Sequence, residues 1–318
     1  MLEAAGLLMG LTVFFNASFH ALFTLPVAIM SIAAPLNAWT PAETDLSQSV
    51  LLSEPASVLD APVTLTLVTF NIQDLIVVGR DRPERMRAIG EVLTELDPDI
   101  VGIQEAFVEA DRHILFDSLR GSRLHHRHYF RSGLMGSGLL TLSAYPIVEA
   151  FFHRYEHAGK WYKPYHGDWW GGKGVSLCRI ALPDGAGIID FYNTHAQAGY
   201  GDPAEYLAVR RGQMTELAAF VRASSAATSP AFLVGDMNCR PGAPAFDIAV
   251  EHGRLERLMT IKTGIDHIFG IRKPRYALDV IDTTPIQKLI TVADGRQSGL
   301  SDHSGYCSTI HITPTPEA

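Results

Sequence analysis

The chain has 318 residues, 47% hydrophobic and 19% charged, with a formal net charge of −8 and three cysteines. This composition excludes a disordered chain, which would be charge-rich and apolar-poor, and the acidic balance argues against a protein that holds nucleic acid through a broad basic surface. An odd number of cysteines without paired spacing excludes both a disulfide scaffold and a cysteine-based zinc site.

The length fits one domain of roughly 250 residues plus an extra segment, or two domains. No charged residue occurs between Glu3 and Glu43, and the run from Ala4 to Ala34 is mostly Leu, Ala, Phe, Met, Ile and Val. About 20 apolar residues cross a bilayer as a helix, so residues 1–38 are long enough for a membrane anchor. An export signal or a buried extension are the other readings, although the basic start of an export signal is missing, the first Lys or Arg being Arg80. With no flanking Lys or Arg the orientation stays open. Residues 39–62, rich in Ser, Pro, Ala and acids, read as a linker, and residues 63–318 as one folded domain.

Val63 to Phe70 alternates with period two and predicts a strand ending at Asn71. Asp81-Arg-Pro83 opens a helix whose Met86, Ile89, Val92, Leu93 and Leu96 recur at helical spacing, until Asp97-Pro98-Asp99 stops it. Ile100 to Ile103 is a short buried strand that delivers Gln104 and Glu105. Gly138–Leu142 and Ile147–Phe152 predict a hairpin around Tyr145-Pro146, and Gly174–Leu182 with Gly187–Thr194 a second one around Pro183-Asp-Gly185. A helix from Pro203 to Val221 would turn Leu207, Arg211, Met214, Leu217 and Val221 to one side. Ala231–Val234, Ile265–Ile268, Lys288–Val292 and Gly305–Ile312 read as further strands. Many strands with few helices suggest an α+β layered sandwich.

Metal-capable and titratable residues fall where these strands end: Asn71, Glu105, Asn193, His195, Asp236, Asn238, Asp266, Asp302 and His303. A rigid sheet that delivers polar side chains at its strand ends can hold a constellation to close tolerance. One Glu with Asn and Asp oxygens, without cysteine or an HExxH motif, suits a hard ion such as Mg²⁺ or Mn²⁺. Such an ion beside histidines and amides fits stabilisation of a phosphoryl oxygen while a water is activated.

Thr69-Phe-Asn71, Ile103-Gln-Glu105, Tyr192-Asn-Thr-His195, Gly235-Asp-Met-Asn238, Ile265-Asp266 and Ser301-Asp-His303, in that order, resemble the endonuclease/exonuclease/phosphatase family of Mg²⁺-dependent phosphodiesterases. The resemblance spans about Thr64 to Ile312 and implies a four-layer sandwich, two packed mixed β-sheets flanked by helices, as a single catalytic domain. Asp168-Trp-Trp-Gly-Gly-Lys173-Gly174-Val175 is similar to a segment of the neutral sphingomyelinase branch, as are Tyr192–His195 followed by Glu205-Tyr-Leu207 and Arg210. Trp161, Tyr162, Tyr165, Trp169 and Trp170 supply the aromatic surroundings expected there.

The resemblance implies Glu105 as the direct metal ligand with Asn71 beside it and Asp302 near the ion. It implies His303 as general base, oriented by Asp266. His195 and Lys173 would neutralise charge on the phosphoryl oxygens, and Asn238 would donate to one of them. Asp236 would position water, bind a second ion or handle the leaving group's proton. Asp168 would pair with Lys173 and switch its availability, and Asn193, Trp169 and Trp170 would contact substrate. His125, His126 and His128 read as a solvated edge, and Cys178 and Cys307 as small buried hydrophobes, with Cys239 beside the site as a non-ligand.

The implied reaction is hydrolysis of a phospholipid headgroup at a membrane surface, sphingomyelin to ceramide and phosphocholine. A nuclease or phosphoinositide phosphatase of the same fold is the alternative enzyme, and an inactive membrane-tethered binding module the alternative of another class. The −8 balance speaks against nucleic acid, and no obligate protein partner is evident. The apolar segment places the chain at a membrane or sends it out of the cell.

Overall fold

The computed structural model describes residues 58–163, 166–200 and 204–315. The anchor or export segment 1–38, most of the linker, Tyr165 and Pro203 lie outside those residues. Among the described residues no helix is long and apolar enough to cross a membrane.

Strand β1 (Val63–Asp74) shows how the layers arise. A strand turns successive side chains to opposite faces. Leu65 and Leu67 accordingly enter the core between two sheets, while Val68, Phe70 and Ile72 face Met86, Ile89 and Leu93 of helix α1 (Arg82–Leu96) and Leu115 of α2 (Glu109–Ser118). The strand continues past Asn71 because a bulge with Gln73 at φ 49° re-sets its register before Asp74. β1 pairs in parallel with β2 (Ile100–Ala106) and antiparallel with β14 (Gly305–Pro314). With β3 (His126–Tyr129), β4 (Leu140–Ser143) and β11 (Tyr276–Ile286) the first sheet runs β11-β14-β1-β2-β4-β3.

The second sheet is built the same way. Its order is β5-β6-β7-β8-β10-β9, from β5 (Ile147–Arg154), β6 (Gly174–Ala181), β7 (Ile188–His195), β8 (Ala231–Asp236), β9 (Leu255–Arg257) and β10 (Asp266–Ile271). Phe191, Phe232, Val234 and Ile268 meet the first sheet, while Tyr192, Leu233 and Phe269 pack under α3 (Leu207–Ser224) and α4 (Pro244–Gly253). The result is the four-layer sandwich, with a parallel pair at the centre of each mixed sheet. At Gly102 the sheets approach so closely that a Cβ would lie 2.3 Å from Val234 Cγ2.

Three expectations are corrected. Gly138–Leu142 and Ile147–Phe152 do not form a hairpin: both edges of β4 are taken by β2 and β3, so the chain crosses at Tyr145-Pro146 and β5 joins the other sheet. On α3, Leu207 and Arg211 are exposed, and Arg210 and Gln213 take the buried positions beside Met214, Leu217 and Val221. Leu289–Thr291 (β12) pairs only with Gln297–Gly299 (β13), outside both main sheets.

Asn193 links the two sheets face to face, and its expected substrate contact is corrected here. It is fully buried; its Nδ2 donates to Ile103 O at 3.0 Å and Leu140 O at 3.3 Å, and its Oδ1 accepts from Gln104 Nε2 at 2.8 Å. Both amide protons are spent across the sheet gap, so none is left for a ligand. Asn193→Leu is expected to cost about 2–4 kcal/mol in urea unfolding, because it removes three buried hydrogen bonds between the sheets. A loss below about 0.5 kcal/mol would show that the link carries no weight.

Candidate active site

The period of two also decides which polar groups meet. Asn71 on β1, His195 on β7, Asp236 on β8 and Asp266 on β10 all occupy the inter-sheet parity of their strands, at the ends where the apolar core stops. Glu105 has the opposite parity. Its φ of 60° breaks the alternation of β2, and its Oε1 lies 3.1 Å from Asn71 Nδ2. A non-glycine residue in the left-handed region costs about 1–3 kcal/mol and such strain gathers at functional sites. Asn238 is held at φ 50° as well, where its N–H donates to Asp236 Oδ1 at 2.9 Å.

The centre is crowded with acceptors. The Asn71 amide donates to Glu105 Oε1 and Asp236 Oδ2, both at 3.1 Å, with His303 Nε2 3.5 Å away. His195 Nε2 is 3.4 Å from Asp236 Oδ2 and 3.8 Å from Glu105 Oε1. Ligand atoms of Asp236, Asp266 and His303 lie within 4.8 Å of one another. Carboxylate and amide oxygens concentrated at the open end of a dry core are a donor set for a hard cation.

His303 Nδ1 sits 2.9 Å from Asp266 Oδ2. Burial disfavours the imidazolium, but the Asp266 hydrogen bond and the charges of Asp266 and Asp236 outweigh it and push His303 up to about 9. Burial and then the Asp236 charge push Asp266 up as well, against the pull of His303. Both shifts favour a pair that keeps one proton between the two atoms. Asp236 goes the other way: burial alone would raise it, yet His195, His303 and the Asn238 N–H hold it well below the usual carboxylate range.

Lys173, at the mouth of β6, is buried with its Nζ 2.8 Å from His195 Nε2 and 3.0 Å from Asp168 Oδ1. Asp168 is fixed in turn by Gln197 Nε2 at 2.5 Å and the Ala198 N–H at 2.9 Å. Gln197 is a residue that sequence reasoning missed; its position two beyond His195 at a strand end is the signal that could have found it. Trp169 lines a small cleft with Asp168, Lys173 and Gln197. Trp170 stacks edge-on against Trp169, and its carbonyl accepts from the N–H groups of Leu134 and Met135.

Asp302 is the exposed member of the expected set. In the Ser301–His303 turn, Ser301 Oγ donates to Asn71 O at 2.7 Å and accepts from His303 N, which leaves Asp302 exposed, with Ser301 Oγ as its hydrogen-bond partner. The turn is anchored from below by the buried Arg85, also unforeseen. Its guanidinium donates to Leu300 O at 2.7 Å, Arg80 O at 3.1 Å, Gln73 O at 3.2 Å and Ile72 O.

Residues 68–303 match the Endonuclease/Exonuclease/phosphatase family. A putative neutral sphingomyelinase of Drosophila melanogaster is 38% identical over 178 residues, covering 56% of this chain and 40% of that one. An inositol phosphosphingolipids phospholipase C of Schizosaccharomyces pombe is 34% identical over 201 residues, 62% of this chain and 46% of that one. The chain thus spans less than half the length of these relatives. Sphingomyelinase C from Streptomyces griseocarneus superposes with a TM-score of 0.60 at 19% identity, over 78% of this chain and 99% of that one. A mutant beta toxin from Staphylococcus aureus with bound magnesium ions does so with a TM-score of 0.61 at 18% identity, over 77% and 99%. At such identity the likeness is one of fold.

The His303–Asp266 pair predicts a pH signature. A folded-state pKa of about 9 against an ordinary 6.5 means that the pair's stability contribution is complete below pH 6.5 and is lost as pH rises through 9. Asp266→Asn is expected to bring the His303 titration, read by NMR of its ring protons without added metal, down toward 6.5. An unmoved titration would reject Asp266 as its cause.

Proposed function

The chain belongs to the endonuclease/exonuclease/phosphatase family, and from that premise we propose that it is a divalent-metal-dependent phosphodiesterase that removes the headgroup of a membrane sphingolipid, with sphingomyelin as its leading substrate. The observation that carries this reading is the run of contacts from Lys173 through His195 to Glu105 and Asp236, with the His303–Asp266 pair beside Asp236. A buried cation, a base held by a carboxylate and an acceptor-rich corner are the parts that in-line hydrolysis of a phosphodiester needs. The relatives named above are a sphingomyelinase and a phospholipase C for inositol phosphosphingolipids, which supports the sphingoid class while dividing on the headgroup.

Glu105 and Asn71 would hold the ion, for which Mg²⁺ fits the oxygen donors and Mn²⁺ is an acceptable substitute. When bound it supplies positive charge to a phosphoryl oxygen. The remaining work falls to the chain. His303 Nε2 takes a proton from the attacking water while Asp266 holds Nδ1–H and stabilises the imidazolium formed. Lys173 and His195 donate to the non-bridging oxygens. Asp168 shares Lys173 with them, so loosening that ion pair frees the ammonium for substrate. Membrane association through residues 1–38 would bring this site to its substrate.

The test uses purified full chain with MgCl₂ on sphingomyelin, inositol phosphosphingolipid, phosphatidylcholine, phosphoinositide and plasmid DNA in parallel. Phosphocholine release, abolished by EDTA and reduced on the order of 10²–10⁴-fold by His303→Ala or Glu105→Gln, is the expected result. Plasmid nicking without lipid turnover would overturn the reading. Since only the deprotonated His303 can accept the proton, kcat is expected to climb with pH until that group has titrated. Asp168→Ala with unchanged turnover would remove its role over Lys173.

A further inference from the structure

Large apolar side chains that stay exposed are unevenly placed on this molecule. Ile76, Val77 and Val78 are 37%, 80% and 62% exposed, and Leu134, Trp161 and Tyr162 are exposed too. All six sit on connections that leave the strand ends where the site lies. The 75–79 turn follows β1, Leu134 lies between β3 and β4, and Trp161-Tyr162 lies between β5 and β6. The other exposed ones lie within regular elements: Phe151 and Ile281 in edge strands β5 and β11, Leu289 in β12 and Leu207 at the start of α3.

The 75–79 turn is also built rather than loose. Gly79 N–H closes it onto Leu75 O at 2.9 Å. Arg82 Nη1 donates to Leu75 O at 3.2 Å and Ile76 O at 3.1 Å, and Arg82 Nε is held by Asp111 at 2.7 Å. Arg82 therefore satisfies the turn's inward carbonyls, while Arg85 holds those of Ile72, Gln73 and Arg80 on either side of it, and the apolar tip is left outward. No acidic residue interrupts Leu75–Gly79, and Arg80 follows it. Three adjacent β-branched residues held in water cost hydration free energy unless a partner covers them.

We infer that the 75–79 turn is a preformed apolar wedge that enters the interfacial region of a lipid bilayer and seats the open end of the sandwich on it. The inference rests on the lipid reading above, and it adds which part of the domain meets the bilayer. A lipid surface fits better than a protein groove. The patch is spread over separate connections around one opening, its aromatic members Trp161 and Tyr162 suit the headgroup layer, and Arg80 at the wedge base suits lipid phosphate.

Because residues 1–38 could hold the full chain on vesicles by themselves, the test must report locally. Val77→Cys and, as control, Ile281→Cys are labelled with an environment-sensitive fluorophore in the full chain; its own three cysteines are buried. Both are mixed, in EDTA, with phosphatidylcholine–sphingomyelin vesicles carrying a nitroxide-labelled lipid. The wedge predicts quenching and a blue shift at position 77 and neither at 281. Equal signals at both positions, or none at 77, would overturn it. In a second arm, Val77→Asp/Val78→Asp is expected to lower turnover on vesicles on the order of tenfold or more while leaving turnover of a short-chain, water-soluble substrate unchanged. Equal turnover on vesicles would count against the wedge. Quenching at 77 in a protein that hydrolyses no lipid would uphold the wedge and reject the proposed activity, so the two failures are distinct.

Discussion

The alternation of side chains along a strand is the constraint on which this molecule rests. Leu65 and Leu67 look one way and Val68, Phe70 and Ile72 the other, so one strand closes two cores at once. The same parity sends Asn71, His195, Asp236 and Asp266 into the gap between the sheets. Where that gap is filled by Phe191, Phe232 and Val234 it is core; where it opens, it is the site. Sheet packing and site assembly are therefore one event, and Asn193 and Gln104 mark the boundary between them, with hydrogen bonds that span the gap while still excluding solvent.

That boundary also governs the electrostatics. Groups just outside a dry core feel each other with little screening. Hence Asp236 is held ionised by two histidines and a backbone N–H, while Asp266, a few ångströms away, is pushed toward its protonated form. Two carboxylates on neighbouring strands thus take opposite characters from their surroundings alone. The Lys173–Asp168 pair follows the same logic: each would be costly to bury without the other, and Gln197 and the Ala198 N–H satisfy what remains of the carboxylate.

Much of this is legible in the residue string. Runs such as Val63–Phe70 and Ala231–Val234 announce strands, and a polar residue just beyond each announces a site at their ends. The Pro183-Asp-Gly185 turn is local chemistry and is found where the string puts it, joining β6 to β7. What escapes is pairing between distant segments. Nothing near Tyr145-Pro146 says that β4 already has two neighbours, so a hairpin there is the natural but mistaken expectation. Helix α4 hides behind a Pro244 that marks its first turn, and β11 behind the polar run Asp282-Thr-Thr-Pro285 of an outer edge. A motif likewise does not say which way an amide faces: Asn193 belongs to a site segment yet bonds sheet to sheet, and Asp302 flanks His303 yet looks into water.

Asn71 and His303 are neighbours in space and 232 residues apart in the chain. They are joined by the β1–β14 pairing, in which Val63 lies against Ile312, and by Arg85, whose guanidinium grips Ile72, Gln73 and Leu300 together. During synthesis β1 must therefore wait, one edge bare, until β14 has left the ribosome. A hydrophobic edge held open that long is a hazard for mispairing. It is also a form of delay, since a nascent domain of this design has no His303 beside Asn71, and the corner where the strand ends meet stays incomplete until β14 has joined.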